Sequence, residues 1–219
     1  MLDVNAINSI GQTLTVLRNL VTEFGMLGVT MGSVLYAALE YRRAQKWKAA
    51  DLASDLLRAL HDDERLEFCC HALDWGVGPL RIPSQYRPYF EKDEAGAYPF
   101  LMEHLPSDLA AAVQPNLTES VLMNPRSLVY RLCFVRLFDH LERIGRLLES
   151  KKVQKEDLIG LEYLMGQLAR YQYHPANSAA SMFMPAIREW GYAGVDALGT
   201  ALLPEVWAKA RASARDRSR

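Results

Sequence analysis

The stretch from Phe24 to Leu39, FGMLGVTMGSVLYAAL, contains no charged residue. As a helix rising about 1.5 Å per residue it is roughly 24 Å long, somewhat short of the roughly 30 Å hydrocarbon core of a bilayer. Extending it back through Leu20 and Val21 supplies the missing length but takes in Glu23, which then has to lie near an interface or be protonated. Charge changes across the run. Asp3, Arg18 and Glu23 leave a net −1 upstream, whereas Glu40, Arg42, Arg43, Lys46 and Lys48 leave +3 downstream. By the positive-inside rule this step directs the C-terminal bulk to the cytoplasm. The expected localisation is the cell inner membrane, crossed once. A cleaved signal peptide would carry its basic residues before the apolar run. The competing reading is a buried first helix of a wholly soluble bundle, because Gly25, Gly28 and Gly32 weaken helix formation.

Gly28 and Gly32 also form a GxxxG, with Ser33 and Ala37 as a second small pair one residue further round. Small residues let helix backbones approach closely in lipid, so these four residues are the expected interface of a homo-oligomer.

Beyond Leu39 apolar residues recur at three- and four-residue steps, and the class is all-α: an N-terminal apolar helix followed by a cytoplasmic helical bundle. Trp47, Ala50, Ala53, Leu57 and Leu60 make one such stripe, with Lys48, Asp51, Asp55 and Arg58 opposite. A helix over about 62–75 buries Leu66, Cys69, Cys70 and Leu73 and stops at Gly76, Gly78 and Pro79. The chain from there to Phe100 reads as a long irregular loop rich in proline and tyrosine. Ser107 is positioned to cap a short helix, and Asn124 with Pro125 opens the longest one, reaching about Ser150. Glu156 and Asp157 suit the first turn of the next helix, and further helices are expected near Asn177 and at Pro204. Three parts follow: residues 1–40 with the apolar helix, 41–203 as the bundle, and 204–219 as a basic helix or tail.

Overall charge is only −1, which excludes a polycation built to coat nucleic acid. The distribution is uneven: residues 209–219 carry +4 and residues 49–208 carry −7. A basic collar beside an apolar run suits an anionic leaflet at about 1 kcal/mol per residue. The C-terminal tail could do the same, bind RNA, or stay solvated. Three cysteines, two of them adjacent at Cys69 and Cys70, make neither a disulfide framework nor a zinc knuckle and suit a reducing compartment.

Candidate chemistry is sparse. Arg65 and His71 resemble the Arg-x(4-6)-His signature of HEPN ribonucleases, in which these residues handle the 2′-hydroxyl and scissile phosphate of RNA, usually across a dimer. Around His71, however, Glu64, Glu67 and Asp74 form an acidic helical stripe that favours the imidazolium yet repels phosphate. Arg136, Asp139, His140, Glu142 and Arg143 form a polar cluster on an otherwise apolar helix, where Asp139 and Arg143 stand one turn apart and are expected to pair, the cluster helping to join helices through an ionic network. Paired Glu-x-x-His motifs, phosphate loops and nucleophile elbows are missing from the sequence, so neither a metal nor a cofactor is expected. The segment from Arg81 to Phe100 interleaves Tyr86, Tyr89, Phe90 and Tyr98 with cations, a pattern that stacks bases, grips a partner or fastens a loop to its own bundle.

The order of features, an apolar helix, then YRRAQKWKAADLASDLLRAL, then ALDW at Ala72 to Trp75, then LVYRLCFVRLFDHLERIGRLLESKKVQKEDL, resembles a family of small bacterial, membrane-anchored helical proteins of unknown function. Some proteins of similar layout occur beside bacterial immune systems, including a pore-forming membrane accessory of an RNA-targeting CRISPR effector. The resemblance implies a non-enzymatic, membrane-anchored protein that acts by self-association or partner docking in defence. An HEPN-type ribonuclease and a wholly soluble helical interaction domain are the alternatives.

Overall fold

No proline interrupts the chain from Val4 to Asp62, and this whole stretch is helix α1. A computed structural model describes residues 4–74, 78–90, 101–114, 116, 118–171 and 181–215, and the side chains of α1 at residue 22 and from residue 31 onward. The chain divides into two units, residues 1–48 and residues 49–219. The described part of the first unit is helical throughout. From Met31 to Lys48 its residues are exposed apart from Glu40, which is half-buried, so Trp47 is a surface residue of its unit and not part of a buried stripe.

The second unit begins with the end of α1, where Ala53, Leu56 and Leu60 are buried. Asp63 then separates two helices, because its carboxylate accepts from the Arg65 backbone N–H at 3.0 Å and so caps α2, Glu64–Asp74. Two three-residue strands follow, β1 at Pro79–Arg81 and β2 at Leu101–Glu103, paired antiparallel with Leu80 opposite Met102. Pieces this short show no alternation in the sequence. Between them Ser84–Tyr89 forms a tight 3-10 helix.

Next come α3 at Pro106–Ala112, α4 at Glu119–Met123 and α5 at Pro125–Glu149. Pro106 opens α3 after Leu105, ahead of the expected Ser107 cap. The Asn124 side chain accepts from the Arg126 and Ser127 N–H groups at 3.0 and 3.4 Å, and Pro125 takes the first helical position, so α5 starts where its capping signal stands. A 3-10 turn at Lys155–Leu161 leads into α6, Glu162–Arg170. The chain finishes with α7 at Phe183–Glu189, α8 at Ala193–Leu202 and α9 at Pro204–Arg215. The helix start expected near Asn177 lies outside the described residues.

Helix α5 is the axis of the second unit. Tyr130, Cys133, Phe134, Leu137, Phe138, Leu141 and Ile144 are completely buried, and α2, α3, α4 and α8 all pack on α5, α8 most extensively. Phe134 stacks on Phe183 with centroids 5.0 Å apart, and Phe138 meets Trp190 and Tyr192 edge-on or tilted at 5.9 and 5.4 Å. Such aromatic pairs contribute about 0.5–1.5 kcal/mol each beyond their burial. Architecturally the unit is a helical bundle with a small β ribbon on it.

Candidate functional site

Arg65 and His71 both lie on α2, and the structure commits Arg65 elsewhere. Its guanidinium donates to both oxygens of Asp63, at 3.0 Å from Nε and 2.8 Å from Nη2. Arg136 on α5 donates to the same carboxylate at 3.1 Å. Two guanidinium groups and a backbone N–H therefore hold the Asp63 carboxyl well below its usual range, the Arg65 side chain contributing most. A phosphate would have to compete with that carboxylate for Arg65. His71 is half-buried and near the C-terminal end of α2.

An open cleft of about 500 Å³ at this junction is lined by Asp55, Arg58, Ala59, Asp62 and Asp63. Its excess of carboxylates repels nucleic acid. Among the described residues no group of three or more His, Cys, Asp or Glu is placed to hold a metal ion.

The polar positions of α5 reach in different directions. Arg136 goes to Asp63, whereas His140 is buried and its Nε2 lies 2.9 Å from the Leu56 carbonyl, tying α5 to the end of α1. Asp139 accepts from the Tyr192 hydroxyl at 3.0 Å. Arg143 is exposed on the same helix. Glu142, from the same polar cluster, caps α8: its carboxylate accepts from the Gly194 N–H at 2.5 Å and the Val195 N–H at 3.1 Å.

A further buried polar group is one the sequence did not reveal. His104, 1% exposed, directly follows β2, and its two ring nitrogens meet the hydroxyls of Tyr130 on α5, through Nδ1, and Tyr171 after α6, through Nε2 at 3.0 Å. A neutral imidazole has one donor and one acceptor nitrogen, so one tyrosine donates to the ring and the other accepts from it. The arrangement is self-satisfying, and burial pushes both phenols up and His104 down from their ordinary values. Three segments with no common motif converge here, which is why spacing could not find it.

Burial also lowers His140, helped by the cationic Arg136 and Arg143 and opposed by the Leu56 carbonyl and by Asp63. Both histidines thus stay neutral in the folded chain at a pH where the unfolded chain, near the ordinary value of about 6.5, takes up protons. Stability is complete above that value and falls as pH drops below it. A second decline follows in the carboxylate range, where Asp63 and Glu64, both lowered, must be protonated. Urea midpoints measured from pH 8 to pH 4 should stay level and then fall from roughly pH 6.5 downward. A midpoint unchanged across pH 6.5 to 5 would refute neutral burial of these rings.

Cys69 and Cys70 are not poised for chemistry. Burial raises Cys69 and pushes Cys70 up to about 11, so both remain thiols at neutral pH.

In the first unit Gly32, Ser33 and Ala37 are exposed, and a Cβ added to Gly32 would meet open space. The side chains from Phe24 to Thr30, and Gly28 with them, lie outside the described residues. Between Met31 and Leu39 the large apolar side chains Met31, Val34, Leu35, Tyr36 and Leu39 are 57–67% exposed. Among the described residues no helix is long and apolar enough to cross a membrane. Of the aromatic loop, Tyr86 and Phe90 pack partly against the core and Tyr89 is exposed, while Tyr98 and Phe100 lie outside the described residues.

No protein-family model matches the chain, and neither does any curated protein or solved structure.

Proposed function

We propose that the chain is a membrane-anchored helical protein that acts by self-association or partner docking and carries out no chemistry of its own. The observation that carries the reading is the exposed apolar surface from Met31 to Leu39, which runs directly into the basic residues Arg42, Arg43, Lys46 and Lys48. Leaving apolar side chains in water forgoes about 25 cal/mol per Å², and contiguous exposed apolar surface marks a binding or membrane site. Cations immediately beyond it suit an anionic cytoplasmic leaflet. The second unit fits a supporting role. Arg65 is held by Asp63, His104 by two tyrosines and His140 by a backbone carbonyl.

Fractionation tests the anchor. The full-length protein is expected to remain in the membrane pellet after alkaline carbonate, with a reporter fused after Arg219 active on the cytoplasmic side. Release into the supernatant without detergent would remove the anchor and leave the same apolar surface as a docking face in water.

A further inference from the structure

The first unit carries a longer pattern than the apolar run alone. From Ile7 to Ala38 the sequence places an apolar residue or glycine at every alternating step of three and four: Ile7, Ile10, Leu14, Leu17 and on, unbroken, through Leu35. These are the a and d positions of five heptads, and α1 is helical over all of them. From Asn8 to Glu23 the outer b, c and f positions are polar apart from Val16, whereas further on they include Met26, Val29, Tyr36 and Ala37. Where side chains are described, the seam is uncovered within its own chain: Met31 and Leu35 are 65% and 63% exposed.

From this register we infer that a second copy of the chain pairs with the first along the a/d seam, parallel and in register. A repeat of 3.5 residues keeps a stripe facing a neighbour only if the neighbour is a helix of the same period that supercoils with it. A second copy supplies that period over the full length. The bilayer cannot cover the seam by itself. Even with Phe24 to Leu39 in lipid, the portion from Ile7 to Val21 continues beyond the apolar run in the same register and needs a protein surface. Direction follows from the charge step: in every copy the cations Arg42, Arg43, Lys46 and Lys48 follow the apolar run and hold that end at the cytoplasmic face, so neighbouring copies run parallel.

The interface so defined differs from the GxxxG face. Gly28 falls at an a position inside the seam and Gly32 beside it at e, whereas Ser33 and Ala37 fall at the outer f and c positions. Heptad packing also serves helices in lipid, where left-handed crossings of about 20° are common. The pairing rests on the self-association half of the proposed function, and its direction on the anchor.

Single cysteines in the full-length protein test it, with copper-phenanthroline oxidation of membranes or of detergent-purified protein. Leu14→Cys, Met31→Cys and Leu35→Cys should form disulfide-linked dimers, whereas Gln12→Cys, Ser33→Cys and Ala37→Cys should not. The expected contrast is on the order of fivefold, because a disulfide needs Cα atoms within about 7 Å. The otherwise unmodified chain, whose Cys69 and Cys133 are buried and Cys70 half-buried, gives the background. Equal cross-linking at all six positions, preference for Ser33 and Ala37, or no dimer anywhere would each overturn the seam. Carbonate extraction is read separately, so a soluble protein that cross-links at the seam would lose the anchor and keep the pairing.

Discussion

Gly145→Ala is expected to destabilise the second unit by about 3 kcal/mol, the upper range for overpacking a filled core. At this point α5 and α8 touch backbone to backbone. A Cβ on Gly145 would stand 2.8 Å from the Gly194 Cα and closer still to its carbonyl group. A side chain in the way can rotate aside, but a helix backbone can only move as a body. Moving α8 would stretch the bonds from the Gly194 and Val195 N–H groups to Glu142 and disturb Tyr192, which packs on Phe138 and donates to Asp139. Urea or thermal unfolding followed by circular dichroism measures the loss. Gly166→Ala on α6 is the control, because its Cβ would meet only Leu203 Cδ1 at an ordinary 3.7 Å. In a helix interior it should be neutral or stabilising by up to about 1 kcal/mol. Equal midpoints for the two variants would mean that α5 and α8 do not meet as described.

How the fold was legible follows from how local each signal is. Helix α5 could be read because both its start and its buried face are encoded in neighbouring residues: Asn124 and Pro125 at the cap, then Phe134, Leu137, Leu141 and Ile144 at helical spacing. The stripe from Trp47 to Leu60 is less informative. Periodicity identifies a face, not what covers it, and the division after Lys48 leaves Trp47 exposed while Ala53, Leu56 and Leu60 are buried. The β ribbon was invisible because three residues per strand cannot display a period of two.

The polar groups show the same limit more sharply. A spacing of four pointed to pairing within α5, yet the partners found for Arg136, His140 and Asp139 are Asp63, the Leu56 carbonyl and Tyr192, each from another segment. Arg65 and His71 stand at the separation of a ribonuclease signature, but a neighbour two residues away already occupies the guanidinium. His104 carries no local signal at all, since its hydroxyl partners lie 26 and 67 residues further along the chain.

His104→Ala should therefore be among the costliest single changes in the bundle, at about 3–5 kcal/mol. A truncation of this size leaves a cavity, and the buried Tyr130 hydroxyl loses its imidazole partner, which by itself costs about 1–3 kcal/mol. Tyr130→Phe removes only an oxygen, yet it strands the Nδ1 of a histidine that is 1% exposed, so its cost should also fall near 1–3 kcal/mol. The two losses share one hydrogen bond and cannot both be counted in full. In the double variant the phenol that His104→Ala would strand is gone, so the sum of the single losses should exceed the double loss by about 0.5–3 kcal/mol. Urea unfolding of the wild type, both single variants and the double variant closes the cycle. Losses that add within about 0.5 kcal/mol would show that ring and hydroxyl do not depend on each other. Coupling in the expected range would identify the pair as a polar clamp that fixes β2 against α5, since neither partner can be removed alone without leaving the other buried and unpaired.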